Sequence, residues 1–184
     1  MLNFRDRNES YQQIPCHIIG RSGGGLLNEY AIDKGSKEGL GKGMVVVTPE
    51  GLVGQVTSVS EHYSLVQTII SENIAVAAMV ENTKENNGIV KGYREYNKKS
   101  IAKIYQLPLN STVKKDDVIL TSGEGNLYPR GIRVGYVLEV QEDSVNIMKT
   151  ALIQPYVDFN KLEEVFIIIP KDKFKIDYQG EDFK

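Results

Sequence analysis

The sequence has no tryptophan, one cysteine and two histidines. Each shortage removes a class of chemistry. Cys16 cannot close an internal disulfide and has no second thiolate for a cysteine-based metal site. His17 and His62 cannot make a metal centre by themselves, and Asp33, Asp116, Asp117, Glu124 and Asp158 are scattered without metal-ligand spacing. No metal or cofactor is expected. Excess charge is also missing: 22 basic side chains face 24 acidic ones, a net charge of -2. That balance offers no global attraction for nucleic acid or anionic lipid. No apolar run approaches the roughly 18 to 20 residues of a membrane span. The first residues lack the apolar segment of a secretory signal, and no amphipathic helix longer than two turns can be traced.

What is present is β-forming. In 184 residues, 41% are hydrophobic and 17 are glycine. That is enough apolar material for one large or two small packed domains. Short Val/Ile-rich runs alternate with turn residues every 8–12 positions, and about twelve strands can be read in order. The pattern predicts barrels or sandwiches. Met44 to Thr48, the turn Pro49-Glu50-Gly51 and the run Leu52 to Ser60 form the clearest hairpin. Residues 1–14 are polar and read either as a flexible lead-in or as the end of a longer helix, because Pro15 stops any helix. After Pro170 the chain turns polar and charged, and residues 171–184 are expected to be a mobile tail.

The segment Asp117 to Val140 resembles an earlier one. Gly41 to Thr48 lies over Lys114 to Thr121. Gly54-Gln55-Val56 then follows Thr48 by six residues, and Gly135-Tyr136-Val137 follows Thr121 by fourteen. Each copy is a basic turn, an apolar strand ending in threonine, a loop, and a return strand opening on glycine. Two related β units explain this most simply.

The enlarged second loop, Thr121-Ser122-Gly123-Glu124-Gly125, holds the residues that chemistry would need. Ser122 with His17 or His62 is a candidate nucleophile and base on a two-barrel fold. However, the loop lacks both the Gly-Asp-Ser-Gly context and the G-x-S-x-G elbow of serine hydrolases. The alternative is a serine that caps its own turn. Gly39-Leu40-Gly41-Lys42-Gly43 fails as a phosphate loop, because glycine replaces the hydroxyl residue and a strand follows. Among the ten tyrosines, Tyr105 and Tyr136 read as core and Tyr128 is left open. A glycan-binding module would need exposed tyrosines along one groove.

The ordered set of segments resembles the MreC family of rod shape-determining proteins. The segments are Ile18-Ile19-Gly20-Arg21, Ile32 to Gly39, Gly51 to Val56, Gly88 to Gly92, Thr121-Ser122-Gly123, Tyr128-Pro129-Arg130-Gly131-Ile132 with Val134-Gly135, Pro155 to Asp158, and Leu162 to Val165. The resemblance covers roughly residues 16–169. It implies an all-β fold of two small six-stranded barrels packed as in chymotrypsin but without a catalytic triad. Residues 1–14 would be the end of a coiled coil or its linker. The first barrel would span residues 15–72 and the second residues 73–170, with the terminal strand in the second barrel or returned to the first. The implied function is a non-catalytic scaffold of bacterial cell elongation that organises peptidoglycan synthesis. It would sit on the extracytoplasmic face of the cell membrane, anchored through an N-terminal span absent from these residues. Implied partners are a second copy, MreD, a RodA-type glycosyltransferase and a class B penicillin-binding transpeptidase. The signature residues are Asp33, Gly35, Gly54, Thr121, Ser122, Gly123, Pro129, Gly131 and Gly135, as structural turns. Tyr128 and Arg130 are the candidate partner contacts, with Tyr128 standing where phenylalanine is usual in the family.

Overall fold

A computed structural model describes residues 11–21, 28–95 and 98–170. Twelve strands cover most of them: β1 (Tyr11–Arg21), β2 (Glu29–Ile32), β3 (Val45–Val47), β4 (Leu52–Val59), β5 (Ser64–Thr68), β6 (Ala75–Val80), β7 (Gly88–Glu95), β8 (Lys98–Leu107), β9 (Val118–Thr121), β10 (Arg133–Asp143), β11 (Met148–Pro155) and β12 (Glu164–Pro170). They close into two six-stranded antiparallel barrels, in the order β1-β12-β3-β4-β5-β2 and β10-β11-β8-β7-β6-β9. Closure satisfies backbone groups that an open sheet would leave at its edges.

The two barrels share one topology. Reading the second as β6 to β11, its neighbours match those of the first read as β12, β1, β2, β3, β4, β5. The first barrel thus takes its leading strand from the far end of the chain. β12 pairs with β1 from Tyr11↔Pro170 to His17↔Glu164, and with β3 from Phe166↔Val47 to Ile168↔Val45. In this register β3–β4 corresponds to β9–β10, with Gly54 opposite Val46 and Gly135 opposite Ile119. The sequence echo is this topological repeat.

Periodicity sets which side chains enter the core. β11 buries Thr150 to Ile153 continuously, and β3 buries all three of its valines. The apolar cluster runs through both barrels, from Cys16, Tyr30 and Val56 to Val90, Ile119 and Ile153.

The first strand corrects the sequence reading. Tyr11 to Ile14 belong to β1 and not to a coiled-coil end or linker. Their polarity misleads because only one flank is paired there: β2 joins β1 from Ile18 onward. Pro15 is tolerated for the same reason. Its carbonyl accepts from Lys34 Nζ on the flank without a strand, and the missing N–H costs no ladder bond there. Residues 1–10 and the tail 171–184 lie outside the described residues.

Candidate functional site

The signature loop is built around Thr121 at the end of β9. Its hydroxyl accepts from Ile132 N (2.9 Å) and donates to the Pro129 carbonyl, while Gly131 N donates to the Thr121 carbonyl (2.9 Å). One side chain therefore ties both ends of the loop together. Gly131 turns the chain at φ +94°, a region that penalises any residue with a Cβ. Pro129 supplies the carbonyl that Thr121 holds. Gly123 also has positive φ, and a Cβ there would meet Arg130 Cβ at 2.9 Å. Ser122 is buried; its N–H donates to Ala77 O and its Oγ accepts from Glu124 N at 3.3 Å. It caps its own turn, as polar residues in such loops do.

The corresponding threonine of the first barrel, Thr48, ends a shorter hairpin in which Thr48 and Gly51 bond backbone to backbone. Its Oγ1 is buried without a hydrogen-bond partner among the described residues. The contrast gives an expected pair of outcomes. Thr48→Val should raise the thermal midpoint, because an orphaned buried hydroxyl costs about 1 to 3 kcal/mol. Thr121→Val should lower stability by about 2 kcal/mol, because it strands the Ile132 N–H and the Pro129 carbonyl. Thermal denaturation of both variants checks the two signs.

Neither histidine is bonded to Ser122. His17 on β1 places Nδ1 3.2 Å from Asp33 Oδ2 and donates its backbone N–H to Asp33 Oδ1 (2.8 Å). His62 Nδ1 lies 3.3 Å from Glu38 Oε1. Both carboxylates belong to one turn that follows β2, and both imidazoles are exposed. Asp33 therefore clamps β1 to β2. Gly35 presses this turn against the β4–β5 connection, where a Cβ would sit 2.1 Å from Ser60 O. Burial pushes the Asp33 carboxyl up, but the bonds from His17 and the nearby Lys34 charge outweigh it and hold the group below its usual range. A carboxyl depressed in the folded state adds stability above its unfolded pKa and loses it as pH falls. Asp33→Asn should therefore cost stability at pH 7, and that difference should shrink as pH drops below about 4. Urea unfolding of both proteins across that range checks the sign.

Tyr128 is buried, so it is not an exposed partner contact. Its hydroxyl donates to Gln55 Oε1 at 3.1 Å, joining the signature loop to β4 of the other barrel. Desolvation holds its phenol well above the ordinary range. Beside it, Gly51 comes close to the start of β10: a Cβ would lie 2.5 Å from Arg133 O. Arg130 is exposed. Tyr105 and Tyr136 are half-buried. Tyr136 packs on Tyr156 at 5.6 Å, while Tyr93 and Tyr105 flank Lys103 Nζ at 4.8 and 5.5 Å. Tyr128 is too deeply buried to serve the exposed groove that glycan recognition would require. The sequence held no signal for the Tyr128–Gln55 bond, whose partners are 73 residues apart. Asp117 accepts from Asn82 Nδ2 (2.9 Å) and Lys114 N (3.0 Å), so its carboxylate shapes a turn. Among the described residues no group of three His, Cys, Asp or Glu side chains is placed to hold a metal ion, and no helix is long and apolar enough to cross a membrane.

The geometry is that of two repeated barrels locked at a signature loop, and known proteins share it. The family model described as rod shape-determining protein MreC, barrel core, matches residues 18–169. The cell shape-determining protein MreC of Listeria monocytogenes is 31% identical over 169 residues, covering 91% of this chain and 57% of that protein. The chain thus spans little more than half the length of that relative. A solved structure of MreC from Listeria superposes with a TM-score of 0.80 at 30% identity, covering 87% of this chain and 76% of that one. A complex between penicillin-binding protein PBP2 and MreC from Helicobacter pylori contains the same fold, with a TM-score of 0.70 at 14% identity, covering 88% of this chain and 99% of that one. With the family model covering both barrels and their shared loop, the chain belongs to the MreC family.

Proposed function

We propose that this chain is the barrel core of a non-catalytic scaffold for bacterial cell elongation, acting on cell shape by organising peptidoglycan synthesis. Membership of the MreC family is the observation that carries this reading. The loop geometry supports it: Ser122 caps a turn, and both imidazoles are engaged by carboxylates of the first barrel. A serine hydrolase would need the serine and an imidazole in contact. The chain works by binding, on the extracytoplasmic face of the cell membrane, as part of a longer membrane-anchored parent. Its foremost partner is a class B penicillin-binding transpeptidase, by analogy with the Helicobacter pylori complex. A second copy, MreD and a RodA-type glycosyltransferase complete the assembly.

The test is direct binding of the chain to the extracytoplasmic domain of the class B transpeptidase from the same organism. Saturable binding, abolished by thermal unfolding of the barrels, is expected. Absence of binding to that domain, to MreD, to the glycosyltransferase and to itself would overturn the scaffold reading.

A further inference from the structure

Closed barrels have no edges, yet β10 leaves one. β9 covers it only from Arg133↔Leu120 to Tyr136↔Val118, with a last exchange between Val137 and the Asp116–Asp117 turn. That turn leaves β10 at Asp116, whose φ is +71°. β10 continues for six more residues, paired on its other flank to β11 as far as Asp143↔Met148. From Leu138 to Asp143, no backbone bond is made on the β9 flank among the described residues. The result is a ribbon with one free strand edge.

Its chemistry is specific. Val140 packs against the core, so alternation puts Glu139, Gln141 and Asp143 together on the outer face. Glu142 adds a further exposed acid on the other face. At the tip, Val145 and Ile147 are 86% and 68% exposed. Asp143 holds the tip through Val145 N (3.0 Å), Asn146 N (3.2 Å) and Asn146 Nδ2 (2.7 Å). Ile147 is kept at φ +55°, which is strained for a β-branched residue. A rigid loop therefore presents apolar side chains to solvent beside an acidic strand edge.

We propose that Leu138 to Asp143 is a docking edge for an extended basic segment of a partner protein, which adds to β10 as a further strand. Backbone bonds along the free flank would hold such a strand, and lysine or arginine at alternate positions would face Glu139 and Asp143. The charge pattern disfavours a second copy here. Two β10 strands paired antiparallel about Gln141 would set Glu139 of each opposite Asp143 of the other, and like charges directly opposite repel. This inference goes beyond the scaffold reading and stands on the geometry of β10 alone.

The experiment uses the whole chain and short acetylated peptides. One alternates lysine and valine, one alternates glutamate and valine, and one carries the lysines and valines in two blocks. The Lys–Val peptide is expected to bind about tenfold tighter than either control, and to slow amide exchange between residues 138 and 143. Glu139→Lys, at the exposed position that faces the peptide's lysines, should narrow the preference for the Lys–Val over the Glu–Val peptide. Equal binding of the block peptide would mean unspecific charge attraction and would overturn the proposal. So would slowed exchange elsewhere, or slowing at residues 138–143 that grows with protein concentration and needs no peptide. Failure of this test leaves transpeptidase binding to be judged separately.

Discussion

Gly54→Ala is expected to lower the thermal midpoint by about 8 to 16 °C, corresponding to about 4 kcal/mol in a chain of this size. Gly54 sits in β4 between Val46 of β3 and Thr68 of β5. A Cβ there would lie 1.8 Å from the Gln67 carbonyl oxygen and 2.8 Å from its carbon. These are backbone atoms of a hydrogen-bonded neighbour, so no side-chain rotation relieves the clash. Two strands of a closed barrel must separate, and overpacking of this kind exceeds the usual cost of about 1 to 3 kcal/mol. Gly39→Ala is the control. Gly39 has φ +93° but no atom within 4 Å of where a Cβ would stand, so only backbone strain of about 1 to 2 kcal/mol applies. Calorimetry of both variants decides the matter. A Gly54→Ala midpoint no lower than that of Gly39→Ala would show that β4 and β5 do not approach as described.

Removing β12 is expected to unfold the first barrel. The strand buries Val165, Ile167, Ile168 and Ile169. At about 1.5 to 3 kcal/mol for each fully buried side chain, their loss amounts to about 6 to 12 kcal/mol. That is comparable with the entire stability of a domain, about 5 to 15 kcal/mol. Cys16 reports the event, because it lies opposite Val165 on the neighbouring strand. In the intact chain Cys16 is fully buried, and desolvation pushes its thiol up to about 11. A thiol-reactive reagent at pH 8 should leave it unmodified, since the thiolate is the reacting species. A chain ending at Lys161 should be modified at the rate of unfolded protein. Slow modification of that truncated chain would mean that the first barrel closes without β12.

Much of this architecture is legible in the sequence, for a physical reason. Strands such as Val45–Val47 and Leu52–Val59 carry β-branched residues between turn residues, and burial follows that pattern directly. The repeat shows in sequence because both barrels need a close backbone approach after the same hairpin, at Gly54 and Gly135. What escapes the sequence is contact between distant segments. Tyr11 to Ile14 look like linker because their burial is slight and alternates poorly; only the β12 ladder makes them a strand. Tyr128 is equally suited to surface or core, and Gln55 decides the matter by accepting its hydroxyl proton across the barrel junction. Gly131 reads from sequence as a turn glycine; its surroundings leave room for a Cβ, and its positive φ alone demands glycine. The free flank of β10 arises from the unequal lengths of β9 and β10, which only their register discloses.

In the role proposed above, this chain acts by recognition and not by catalysis. The most direct measurement is the affinity of the Ser122→Ala, His17→Ala, His62→Ala triple variant for the class B transpeptidase domain, beside the unchanged chain. Ser122 caps a turn, and the two histidines are exposed and touch carboxylates in contacts worth little stability. The triple variant should stay folded and bind with unchanged affinity. A folded triple variant that had lost binding, together with a hydrolytic activity of the unchanged chain that the variant lacked, would contradict it.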